Sequence, residues 1–118
     1  MGKITTHVLD AAHGCPGSQI TVELYRVEGQ VLTLLNSTVT NSDGRCDQPM
    51  LQGDEYRSGV YQLQFAVGDY YRAKGAAALA EQAFLDVVVL RFGIDEGQAH
   101  YHVPLLVSPY SYSTYRGS

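Results

Sequence analysis

The apolar pattern of this sequence predicts an all-β chain: an antiparallel β-sandwich of seven to eight strands with one short helix. Three observations carry that expectation. Gln19–Val27 alternates strictly, with Ile20, Val22 and Leu24 on one face and Gln19, Thr21 and Glu23 on the other, which is the two-residue period of a half-buried strand. Gly59–Val67 repeats the pattern with Tyr61, Leu63, Phe65 and Val67 on one side. Turn-forming clusters recur between such runs, at Ala12-His13-Gly14, Glu28-Gly29, Ser42-Asp43-Gly44 and Asp95-Glu96-Gly97. Short strands punctuated in this way pack as two sheets.

Taken in order, Ile4–Asp10 is the first strand-like run, and Gln19–Val27 follows the first turn. Val31–Thr40 comes after Glu28-Gly29, and Met50-Leu51 marks a short additional strand. Gly59–Val67 is next. Residues 68–82 are rich in alanine and break the strand pattern. Asp69 can cap an early turn there, while Ala76–Gln82 holds the better helix formers; one short helix belongs in this stretch, and composition leaves its half open. Phe84–Phe92 is apolar on both faces, as for a strand covered on both sides. His100–Val107 and Ser111–Arg116 complete the set. Pro104 cannot donate to a ladder, so pairing is expected to be interrupted or at an edge there.

At 118 residues the chain has the length of one domain. Its 45% of hydrophobic residues suffices for a core, and 17% charged is low for a monomer's surface but compatible with surface buried in an oligomer. A net charge of −4 without a basic run argues against nucleic acid. No run approaches the roughly 20 apolar residues of a membrane span. Met1–Thr6 lacks an apolar signal-peptide core, Met1-Gly2 leads straight into a strand rather than a lipidation signal, and the end carries no Ser-Lys-Leu-type address, so a cytoplasmic protein is expected. Cys15 and Cys46 have no CxxC spacing and read as free thiols in a reducing compartment.

No serine-hydrolase elbow, phosphate-binding glycine loop or carboxylate pair is present. The candidate acid–base groups are therefore histidines, which titrate near working pH, with arginine as electrostatic partner. His100 and His102 share one strand face; a metal would need a third ligand that the neighbouring sequence lacks, so neither metal nor cofactor is expected. Taken singly, His7 is an ordinary strand histidine on the face of Thr5 and Leu9, His13 a solvated loop residue, and Arg45, Arg57 and Arg116 solvated arginines. The tail, Tyr115-Arg116-Gly117-Ser118, offers a phenol, a guanidinium, a glycine, a hydroxyl and a carboxylate, as a polar pocket wall would.

Three segments together carry a resemblance. They are Thr6-His7-Val8-Leu9-Asp10, Thr40-Asn41-Ser42-Asp43-Gly44-Arg45-Cys46, and the stretch from His100-Tyr101-His102 through Ser108-Pro109-Tyr110-Ser111-Tyr112-Ser113-Thr114 to Tyr115-Arg116-Gly117-Ser118. In this order they resemble the transthyretin-like 5-hydroxyisourate hydrolases over nearly the whole chain. Transthyretin proper shares the Ser-Pro-Tyr-Ser-Tyr-Ser-Thr run but lacks the histidines and the Tyr-Arg-Gly-Ser ending. The resemblance implies one transthyretin-like domain over residues 1–118, with its helix around Asp69–Lys74. It implies a site of His7, Arg45, His102, Tyr115 and Ser118, and a homotetramer with a central channel and sites at the dimer–dimer interface. The implied substrate is 5-hydroxyisourate, a planar oxidised purine. Its six-membered ring would be opened by water activated by the His7/His102 pair, with Arg45 receiving the developing charge, to give 2-oxo-4-hydroxy-4-carboxy-5-ureidoimidazoline. Two rival readings are a small-molecule carrier of the transthyretin type without catalysis and an immunoglobulin-like adhesion module; the second is usually exported and disulfide-bonded.

Overall fold

Strands form where alternation is cleanest. The computed structural model describes residues 2–75 and 81–117. It contains β1 (Lys3–Asp10), β2 (Cys15–Pro16), β3 (Thr21–Glu28), β4 (Val31–Val39), β5 (Leu51–Gln52), β6 (Gly59–Phe65), α1 (Val67–Ala73), β7 (Val88–Ile94), β8 (His100–Val107) and β9 (Tyr112–Thr114). Among the described residues, β2 and β5 are pairings of two residues each, and the other strands make up the sandwich proper. One sheet runs β2-β1-β8-β9 with β5 also paired to β1, and the other runs β4-β3-β6-β7.

All of these pairings are antiparallel except one: β1 and β8 lie parallel, from Lys3 opposite His100 to Asp10 opposite Val107. Parallel neighbours need a long connection, and here the whole second sheet provides it. The parallel register sorts side chains by face. Ile4, Thr6, Val8 and Asp10 turn inward with Val103, Leu105 and Val107, all buried. Thr5 and His7 stand on the opposite face with His100 and His102, all half-buried. The inward row packs on Val22 and Leu24 of β3, Leu63 and Phe65 of β6 and Leu90 of β7. Each such side chain contributes about 1.5–3 kcal/mol by leaving water.

The helix occupies the first half of the alanine-rich stretch. Of the alternative, Ala76–Gln82, residues 76–80 lie outside the described residues, and Glu81 and Gln82 are not helical. Tertiary anchoring accounts for α1 at a place where propensity is weak. The Tyr70 hydroxyl donates to Asp10 Oδ2 at 2.7 Å, and the Tyr71 hydroxyl lies 2.8 Å from Asp10 Oδ1. The Asp10 side chain is fully buried. It also accepts from the Ala12 and His13 amides and from His13 Nδ1 at 2.7 Å. His13 is thus half of a pair that ties the β1–β2 turn to α1, not the solvated loop residue expected. Burial alone would raise the Asp10 pKa, but the hydrogen bonds from Tyr70, His13 and Tyr71 outweigh it and hold the carboxyl below its usual range.

The expectation for 84–92 needs correcting. Phe84 and Val87 precede the strand and are exposed, and β7 itself alternates, with Val88, Leu90 and Ile94 buried and Val89 exposed. β7 is an edge strand of its sheet, and its outward residues Val89, Arg91 and Gly93 are exposed. Val67 likewise opens α1 instead of extending β6. No helix among the described residues is long and apolar enough to cross a membrane.

Candidate active site

The site grows from the outward face of β1 and β8. Their parallel register sets Thr5 opposite His102 and Lys3 opposite His100. Two-residue spacing stacks His100 and His102 on that face, with ring centroids 6.2 Å apart. The Thr5 hydroxyl lies between them, 2.8 Å from His100 Nε2 and 2.8 Å from His102 Nδ1.

Arg45 reaches the same face because the Asn41–Arg45 loop docks on the far edge of β1. The Asn41 side-chain carbonyl accepts from the Asp43 and Arg45 amides at 2.9 and 3.2 Å, and the Gly44 amide closes the turn on the Asn41 carbonyl at 2.9 Å. This is the local bonding for which asparagine is suited in turns. Gly44 has φ +75°, and a Cβ there would meet the Val8 carbonyl oxygen at 2.4 Å. Only glycine combines that conformation with so close an approach. The Gly44 carbonyl in turn accepts from the Val8 amide at 2.8 Å, and Arg45 pairs in a bridge with His7. His7 Nε2 donates to the Asp43 carbonyl at 3.1 Å. A carbonyl can only accept, so the ring proton of neutral His7 sits on Nε2 and Nδ1 is its bare nitrogen.

The tail is tied down along β8. The Thr114 hydroxyl donates to the Pro104 carbonyl at 2.7 Å, Arg116 Nη2 to the His100 carbonyl at 3.1 Å, and the Gly117 amide to the His102 carbonyl at 2.7 Å. Arg116 also lies 4.3 Å above the Tyr101 ring. A Cβ on Gly117 would stand 2.7 Å from His102 Cδ2, so this glycine lets the tail lie directly against the imidazole.

Thr5, Thr6, Arg45, Cys46, His100 and His102 line a shallow depression of about 460 Å³. The His102 pKa is lowered from its ordinary value, first by burial and then by the charges of Arg45, His100 and His7. The shift favours the neutral imidazole. Burial raises the Cys46 thiol pKa, with the Asp47 charge adding to it, so Cys46 is a poor nucleophile. Both cysteines are free.

Of the residues singled out by sequence, His7, Arg45 and His102 come together. Tyr115 stands apart in the single chain. It is 61% exposed and borders a separate cleft of about 430 Å³ with Phe92, Tyr101, Tyr112 and Arg116. Ser118 lies outside the described residues. Thr5 was not singled out; its place on the His7 face was legible, but its contact with two rings from β8 depends on the parallel register.

Known proteins match this arrangement over its whole length. The chain is 70% identical to a 5-hydroxyisourate hydrolase of Pseudomonas aeruginosa across all of its residues and 93% of that protein. A solved (S)-allantoin synthase superposes with a TM-score of 0.91 at 46% identity over 99% of this chain, although the chain spans only 44% of that longer protein. The solved 5-hydroxyisourate hydrolase of Klebsiella pneumoniae superposes with a TM-score of 0.82 at 32% identity, each chain covering 100% of the other. The model of the HIUase/Transthyretin family matches residues 4–117, the span that holds β1 from Ile4 onward, the Asn41–Arg45 loop and the tail through Gly117. The chain belongs to the HIUase/Transthyretin family.

Proposed function

We propose that the protein hydrolyses 5-hydroxyisourate, opening its six-membered ring to 2-oxo-4-hydroxy-4-carboxy-5-ureidoimidazoline. The 70% identity to a 5-hydroxyisourate hydrolase over the full chain carries this reading. The site supports it, with an imidazole whose neutral form is favoured and an arginine on one polar face.

In the mechanism we propose, His102 takes a proton from water at Nε2 and the hydroxide adds to a ring carbonyl carbon. His7, with its Nε2 proton engaged by Asp43, stands beside it as the second histidine of the pair. Negative charge develops on the carbonyl oxygen, and the guanidinium of Arg45, whose backbone the loop holds beside His7, receives it. The ring C–N bond then breaks, its electron pair goes to nitrogen, and His102 returns the proton there. Tyr115, which stands apart from this depression in the single chain, and Ser118 would hydrogen-bond the polar edges of the heterocycle only once copies assemble around the site. No covalent intermediate and no cofactor enters this scheme.

The working form in this proposal is a homotetramer with sites at the interface between dimers. Exposed apolar residues lie in or next to β7 and β9, one end strand of each sheet: Val87, Val89, Tyr110 and Tyr112. Closed symmetry would bury such rows between copies. A cytoplasmic protein accords with two unpaired cysteines.

The direct test follows ultraviolet absorbance of freshly generated 5-hydroxyisourate with and without protein. Decay accelerated at catalytic protein concentration is expected. A carrier would bind the compound stoichiometrically and leave its spontaneous decay rate unchanged or slowed, and that outcome rejects the hydrolase reading.

A further inference from the structure

The Thr5 hydroxyl has one proton and lies 2.8 Å from a nitrogen of each of two imidazoles. A hydroxyl donates once and accepts twice. Both rings cannot receive its proton, so at least one of them must donate to its oxygen. If the proton goes to His100 Nε2, the oxygen lone pairs meet His102 Nδ1, which must carry a hydrogen; neutral His102 is then bare at Nε2. If the proton goes to His102 Nδ1, the neutral ring carries its hydrogen on Nε2 and has no lone pair there to accept one from water. The first arrangement keeps a lone pair on the nitrogen that Thr5 does not hold, and a lone pair there is compatible with the Arg45 cation that lines the same depression.

We propose that Thr5 is a positioning residue which, anchored on His100, sets the tautomer of His102 and keeps its Nε2 free to accept a proton. The catalytic consequence rests on the hydrolase reading above; the tautomer itself does not. His100 is the acceptor that breaks the tie. The groups around His102 are His100 on β8, Thr5, His7 and Lys3 on β1, Arg45 from its loop, and the Arg116–Gly117 backbone from the tail. Among the described residues no carboxylate forms an ion pair with it.

The test records nitrogen-15 spectra of the histidine rings, without substrate, in the parent protein and in Thr5→Val, Thr5→Ser and His100→Phe at pH 8. The parent should show His102 protonated at Nδ1. Thr5→Val keeps side-chain shape but has no hydroxyl; it should move His102 toward the Nε2-protonated form and lower kcat about five- to tenfold, the worth of one neutral hydrogen bond, with KM close to the parent's. Thr5→Ser should recover most of that loss. His100→Phe should move the tautomer in the same direction, and it provides the readout if Thr5→Val fails to fold. A parent His102 protonated at Nε2, or a folded Thr5→Val with parental tautomer and parental kcat, overturns the proposal. A shifted tautomer in a protein that does not hydrolyse 5-hydroxyisourate would uphold the Thr5 role and reject the hydrolase reading instead.

Discussion

At the level of single residues, the two site histidines present different nitrogens. His7 gives its Nε2 proton to the Asp43 carbonyl, while His102 holds Thr5 through Nδ1. Each ring is oriented by a partner that spacing in the chain does not reveal. The partners of His100 and His102 lie 95 and 97 residues away on a parallel neighbour; period-two patterning reveals a shared face but not which strand lies alongside. The histidines and Arg45 were legible because their flanking motifs are local. The His102 environment carries a pH prediction. Burial and the positive charge of Arg45 lower its pKa below the ordinary 6.5, so the neutral, proton-accepting form persists to lower pH. The acid limb of kcat/KM should therefore fall off with an apparent pKa below 6.5. An acid limb above 6.5 would remove His102 as the base.

Among the elements, the tail shows how a chain end becomes part of a site. Thr114, Arg116 and Gly117 each bond a carbonyl of β8, so residues that composition marks only as polar are aligned beside His102. Gly117→Ala tests that alignment. The added Cβ would stand 2.7 Å from His102 Cδ2, and either the tail or the ring must move. Displacement near 1 Å at a reacting group costs about 10²-fold, so turnover of Gly117→Ala should drop by that order with the melting temperature nearly unchanged. Parental turnover would mean that the tail does not press on the working ring. Element placement was legible where alternation was strict, as in β3 and β6. It failed at 84–92 because apolar residues in an edge strand and in the segment leading to it look the same in sequence as a strand buried on both faces. The helix half was undecidable from propensity because α1 is anchored by Tyr70 and Tyr71 on a carboxylate that lies 60 residues earlier.

For the whole molecule, the parallel β1–β8 pair puts the first and last long strands side by side, which gathers Thr5, His7, His100 and His102 on one outer face. That gathering needs the complete sandwich. It explains why the three motifs are spread along the chain yet meet in space. The same fold leaves β7 and β9 open at one side, with Val89 and Tyr112 exposed. Light scattering at micromolar concentration should report about four times the 12.9 kDa chain mass. A monomer that retains full activity would place the entire site within one chain and reject the tetrameric interface. The central claim, that this face hydrolyses 5-hydroxyisourate with Arg45 as the charge acceptor, is tested most directly by the turnover of Arg45→Lys in the ultraviolet decay assay. Lysine keeps the charge but not the planar donor fork. Loss of such a donor typically costs about 10²–10³ in kcat, and a loss of that size in a folded variant is the predicted result. Turnover within a few-fold of the parent would show that Arg45 is a solvated loop residue and contradict the account.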